Sequence, residues 1–174
     1  MKIKEIKLKN VPFTIMQTDK FKTVSVFVYF KNRLTRKNTT MRSLLSRVLG
    51  HSTKEFPTKG KMIQKQQDLY DAIFGVSNQN IHECSYISFH MELIDEELLS
   101  NHTLFSDGMD FLRKAITEVN AADGAFDKKV VQEQKRLLES RIKNIYNNKD
   151  RYAYKRFLEN IAPDEAIGIS TLGY

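Results

Sequence analysis

An α+β fold, with helices packed on one face of a largely antiparallel sheet, is what this sequence predicts. Period-two apolar runs fill the first thirty residues, and a second such run spans residues 82–93. Between and after them, apolar residues recur at the three- and four-residue spacing of amphipathic helices. The order is therefore strands, two helices, strands, then helices.

The segments IKEIKLKN and VPFTIMQT open the chain as β structure, and FKTVSVFVYF follows. In this third run Val24, Val26, Val28 and Phe30 share one face while Ser25, Phe27 and Tyr29 share the other, the pattern of a strand buried on at least one side. It reads as a central strand. After the basic loop KNRLTRKN, Thr39 or Thr40 can cap a helix whose apolar side is Met41, Leu44, Leu45, Val48 and Leu49, and Gly50 suits its C-terminal end. The spacing predicts a second helix over residues 58–74, ending at Gly75, with Met62, Leu69, Tyr70 and Ile73 on its apolar side. In HECSYISFHMEL, Ile87, Phe89, Met91 and Leu93 alternate with Tyr86, Ser88, His90 and Glu92, which describes a half-buried strand. Leu104, Phe105, Met109, Leu112, Ile116 and Val119 mark a third helix. Val130, Val131, Leu137, Leu138, Ile142 and Ile145 mark a long fourth, and a fifth follows over residues 151–161. No internal repeat or low-complexity linker interrupts the 174 residues, so residues 1–174 are expected to form a single domain.

With 41% hydrophobic and 28% charged residues, the composition is that of a folded chain rather than a disordered one. No run approaches the ~20 apolar residues needed to cross a bilayer, and MKIKEIKLKN lacks the apolar core and cleavage site of a secretory signal. A cytoplasmic protein without a membrane partner is expected. Cys84 is the only cysteine, so no internal disulfide can form. A net charge of +7 raises nucleic acid as a partner. The cations are scattered over every segment, and the densest stretch, residues 128–156, reads first as the solvated side of an amphipathic helix. A basic nucleic-acid-binding domain using Lys128, Lys129, Lys135, Arg136, Arg141 and Lys143 is the alternative; no aromatic-basic recognition motif accompanies these residues.

Metal-binding residue types gather in one place. His82, Cys84, His90 and Glu92 are all even-numbered and in a strand would project to one side. His82 and His90 would stand about 26 Å apart in an unbroken strand, too far to share an ion unless the chain turns. They are read as exposed polar residues, with neither metal nor cofactor assigned. His51 and His102 sit near predicted helix ends and read as solvent-facing or capping groups. No Gly-rich phosphate loop, CxxC pair or nucleophile elbow occurs, so no serine or cysteine nucleophile is nominated.

Taken as an ordered set, these elements resemble the N-terminal half-domain of the pitrilysin/insulinase family of inverted zinc peptidases. The resemblance lies in HSTKEFPTKGKMIQKQQDLYDAIFG, which is similar to the family's loop and second helix, in VVQEQKRLLESRIKNIYNNKDRYAYKRF, and in the ending AIGISTLGY. It implies that the family's HxxEH falls on Ser43, Leu44, Leu45, Ser46 and Arg47, so the two histidines and the glutamate are replaced by Ser43, Arg47 and Ser46. An inverted zinc site needs two imidazoles one turn apart and a glutamate to take a proton from bound water. Serine is a poor zinc ligand, and Arg47 puts a fixed positive charge where the cation would sit. The family's third ligand would come from the long helix, at Glu133 or Glu139.

The resemblance therefore implies a catalytically silent member, closest to bacterial ones that accompany an HxxEH-bearing partner in pairs associated with modification of elongation factor P. It implies as partners a homologous peptidase-family subunit or a second copy, and an extended peptide added to a sheet edge at residues 77–85, with Ser77, Asn78, Gln79, Asn80 and Ile81 as the candidate contacts. A complete member has further domains, so a chain of this length is expected to be the N-terminal part of a larger architecture. Missing strands would leave an open sheet edge and exposed apolar surface, favouring self-association.

Overall fold

The computed structural model describes residues 1–100, 102–163 and 165–174. The chain opens with a hairpin of β1 (Lys2–Leu8) and β2 (Val11–Gln17), paired antiparallel as a sheet of their own. Ile3, Val11, Phe13 and Met16 remain exposed on this hairpin. β3 (Thr23–Arg33) then enters the main sheet, and α1 (Arg36–Leu49) follows.

Thr35 caps α1: its side chain accepts from the Asn38 amide, and the Asn38 side chain accepts from the Thr35 amide. The sequence places this cap at Thr39 or Thr40, four or five residues late. Thr39 is instead fully buried inside the helix, where its hydroxyl donates to the Ser170 carbonyl. Met41 faces solvent, because the helix turns Thr39, Ser43, Ser46 and Val48 inward.

The second predicted helix is shorter than its apolar spacing suggests. α2 covers Lys59–Asp68, and Tyr70 and Asp71 then both adopt positive φ, which breaks the helical path. Residues 73 and 74 belong to β4 (Ile73–Ile81), so Gly75 lies within a strand instead of capping a helix. Tyr70 and Ile73 are exposed, whereas Met62, Leu69 and Phe74 are buried. β5 (Cys84–Ile94) pairs antiparallel with both β3 and β4, giving the order β3-β5-β4. The central strand is thus β5, and β3, read from sequence as central, lies at an edge.

α3 (Leu104–Thr117) packs on β5 and leaves Phe105 exposed, with Val119 beyond its end. A short hairpin of β6 (Ala121–Ala122) and β7 (Ala125–Phe126) leads to α4 (Lys128–Lys143), and α5 (Lys149–Ile161) follows after one 3₁₀ turn. All of this agrees with the predicted α+β class, helices on one face of an antiparallel sheet.

That face is apolar by alternation. Ile87, Phe89, Met91 and Leu93 of β5 are each 4% exposed or less, and together with Phe74, Met62, Leu104, Phe111 and Leu112 they form the core. Arg42 ties α1 to the sheet at one end. Its Nε donates to Ser85 Oγ at 2.8 Å, and its Nη2 donates to the carbonyls of Ser85 and Phe30, both at 3.1 Å. Three bonds from one planar group need a guanidinium's geometry. Arg42→Met is therefore expected to lower stability by about 2–3 kcal/mol, since two strand carbonyls lose a charged donor; urea unfolding of the variant measures this. The chain's last residues return to α1. Gly173 has φ +91, and its alpha carbon lies so close to Thr40 that a side chain there would meet the helix backbone.

Candidate functional site

The face of α1 that turns inward carries the residues which the resemblance assigns to HxxEH. Ser43 is 3% and Ser46 4% exposed, and Ser46 Oγ donates to the Ser43 carbonyl at 3.0 Å within the helix. α4 packs against α1 with Leu138 buried, while Ser43 and Ser46 share a helix face with Gly50, which meets Val76 of β4. Arg47, one turn on, is partly buried with its Nε enclosed and without a partner. Burial, and then the nearby guanidinium of Arg141 on α4, hold its pKa below the usual arginine value.

Arg47, Gly50, His51, Lys59, Glu133 and Gln134 line a small pocket of about 250 Å³ at the C-terminal end of α1. Of the two carboxylates proposed from sequence on the long helix, Glu133 lies at this pocket, while Glu139 pairs with Lys143 on the exposed side of α4 at 2.7 Å. The donor set does not suit zinc. The pocket lining offers a guanidinium, an ammonium, one imidazole and one carboxylate, and the positions that the resemblance assigns to HxxEH hold two buried serines and Arg47. Among the described residues, no cluster of three or more His, Cys, Asp or Glu side chains could hold a metal ion.

The even-numbered set on β5 is partly separated. His82 occupies the turn between β4 and β5 with φ +51, outside the strand, which its placement with the other three did not foresee. Cys84 begins β5, and His82 and Cys84 both line a larger open cleft of about 1220 Å³ shared with Arg151, Tyr154 and Ile169. His90 stacks on Phe27 with ring centroids 4.3 Å apart, and its Nε2 lies 3.8 Å from Glu92. His51 is at the pocket, and its Nδ1 is buried without a partner; His102 is exposed.

The residues proposed as peptide contacts, Ser77, Asn78, Gln79, Asn80 and Ile81, all lie on β4, which pairs with β5 on one side and, among the described residues, with no other strand. Which amides face the free side follows from one bond. The Phe74 amide donates to Gln66 Oε1 at 3.1 Å, away from β5. Outward-facing amides alternate along an antiparallel strand, so Val76, Asn78 and Asn80 share that edge. The free backbone groups are thus on the even residues of the proposed set. The side chains of Asn78 and Asn80 donate to the carbonyls of Thr171 and Ile169, which brings the C-terminal segment close to the far half of the strand. The near half, around Val76, adjoins the pocket: a β-carbon built on Gly50 would stand 3.4 Å from that of Val76. Sequence reasoning nominated the α1 residues and the edge strand separately, passed over Val76, named Arg141 only for the nucleic-acid alternative and gave His51 no pocket role. Only the register of α4 against α1 joins them.

The chain resembles known proteins over nearly its full length. No protein-family profile matches it. It is 28% identical over 174 residues, 98% of its length, to a Bacillus subtilis (strain 168) protein named probable inactive metalloprotease YmfF. Its fold matches a crystal structure of a conserved protein from Enterococcus faecalis V583 with a TM-score of 0.89 at 24% identity, again over 98% of the chain. The chain spans 41% of the length of each of these two proteins. No helix among the described residues is long and apolar enough to cross a membrane.

Proposed function

We propose that this chain is a non-catalytic, zinc-peptidase-like scaffold of the pitrilysin/insulinase type, which holds an extended peptide along β4 and pairs with a homologous, HxxEH-bearing subunit. The observation that carries the reading is the free edge of β4 running past a pocket whose residues do not suit zinc. The name of the Bacillus relative supports the loss of catalysis. Backbone pairing gives such a peptide most of its affinity with little demand on its sequence. In this reading the chain is the N-terminal part of a larger architecture in the cytoplasm, and the process served is that of the silent bacterial members, modification of elongation factor P.

Surface composition supports the pairing. Phe27, Tyr29, Ile73 and Ile81 are exposed on the sheet face opposite the helices, and among the described residues the outer edge of β3 has no strand partner. A subunit of like fold, or a second copy, would cover both.

The test is selection from a random dodecapeptide phage library, then titration of the best binder as a labelled synthetic peptide. Val76→Pro removes an outward amide without taking a bond from the β4–β5 ladder, because proline is tolerated on the free side of an edge strand. It is expected to weaken the peptide by at least about tenfold, while Val76→Ala keeps most of the affinity. Absence of any selected binder, or equal binding by the proline variant, sinks the peptide-docking reading.

A further inference from the structure

We infer that the pocket at the end of α1 is an oxyanion site, which receives a carboxylate of the peptide docked on β4. The inference rests on the peptide-docking reading for its ligand, but the pocket's chemistry stands on separate observations.

The first is uncompensated charge. Arg47 and Lys59 line the pocket against the single carboxylate of Glu133, and the guanidinium of Arg141 lies close enough to Arg47 to repel it. Among the described residues, none of these four side chains makes an ion pair. Arg47 is partly buried and Arg141 is exposed nearby, and a partly desolvated guanidinium with a second cation close by favours a bound anion.

Buried polar atoms without partners are the second observation. Arg47 Nε and His51 Nδ1 are both buried and without a hydrogen-bond partner. A guanidinium held by packing presents a planar fork suited to a carboxylate. The negative end of the α1 dipole opposes an anion here, but Lys59 Nζ already approaches the Gly50 carbonyl at 3.4 Å and offsets part of that field.

Position is the third. Gly50 lines the pocket and abuts Val76, whose amide faces the free edge of β4. A strand laid on that edge passes the pocket mouth, so an acidic side chain or the terminal carboxylate of the peptide can turn in. Where a metal-bearing relative would place a cation to polarise a peptide bond, this chain places cations that hold an acid.

The experiment has two arms. In the first, the selected peptide is compared with the analogue in which its acidic residue becomes the amide, against the native chain and Arg47→Gln. The native chain is expected to prefer the acid at least about tenfold, and Arg47→Gln to lose that preference while still binding the amide peptide. Equal binding of acid and amide by the native chain overturns the oxyanion site and leaves β4 docking intact. The second arm needs no peptide: acetate and inorganic phosphate are titrated at constant ionic strength while the ¹⁵N Nε–H signal of Arg47 is followed. A saturable shift supports the site even if the peptide reading has failed; no shift with either anion overturns it. Phosphate binding with no response to acetate overturns the carboxylate assignment.

Discussion

Phe111→Ala should cost about 3–5 kcal/mol, the largest loss expected from any single truncation in this chain. Phe111 is 1% exposed and stands where three elements meet. Its ring is edge-on to Phe74 of β4 at 5.1 Å between centroids and tilted against Phe56, from the loop before α2, at 5.6 Å. One turn earlier in the same helix, Gly108 lets α3 approach so closely that a β-carbon would overlap Leu93 of the central strand. The helix therefore cannot slide in to fill the space that the lost ring leaves, and the cavity persists. For a domain of this size the loss corresponds to a fall in Tm of about 10 °C. Phe111→Leu, which keeps most of the volume, should cost under about 1.5 kcal/mol. A similar Tm for the alanine variant and the native chain would mean that α3 is not anchored through this ring.

The fold class was legible because alternation is a strong signal where one face is buried. Ile87, Phe89, Met91 and Leu93 announce their strand without help from context, and all four are in the core. Errors arose where local pattern and tertiary pairing disagree. Val24, Val26 and Val28 alternate as well as any central strand, but alternation reports burial of a face and says nothing about how many neighbours a strand has. The second helix was overextended because Tyr70, Ile73 and Phe74 continue its apolar spacing, and nothing in the residue types of Tyr70 and Asp71 demands positive φ. The cap of α1 was misplaced for a related reason: three threonines compete for the role, and Thr39 is claimed by a carbonyl 131 residues away.

The site was legible only in pieces. Ser43, Ser46 and Arg47 could be compared with the chemistry a metal centre requires, whereas the place of Glu133 against them depends on how α4 crosses α1, which spacing does not encode. The even-numbered set of His82, Cys84, His90 and Glu92 failed at the turn: a two-residue reversal at residue 82 removes the first member from the strand that the parity argument assumed.

Installing HxxEH where the resemblance puts it, by Ser43→His, Ser46→Glu and Arg47→His, should yield a less stable chain that still takes up less than about one-tenth equivalent of zinc after dialysis. Ser43 and Ser46 are 3% and 4% exposed, in space that holds a hydroxymethyl group. An imidazole at residue 43 must push its packed neighbours apart, and a carboxylate at residue 46 must leave water without a prepared partner. The second of these alone is expected to cost about 2–4 kcal/mol. Arg141, whose charge is felt at Arg47, would remain and would add to the cost of a divalent ion there. The contrast with single changes is informative: Arg47→His by itself removes a crowded cation and should be nearly neutral in stability, so a large loss in the triple variant traces to the two serines. Metal content by mass spectrometry and urea unfolding, run on the same samples, separate the outcomes. Stoichiometric zinc with an unchanged or raised midpoint would mean that the packing around α1 can open to form a metal centre, and that side-chain identity alone keeps metal from this helix. Loss of stability without zinc would mean that the close packing around two buried serines, rather than side-chain identity alone, is what keeps metal out.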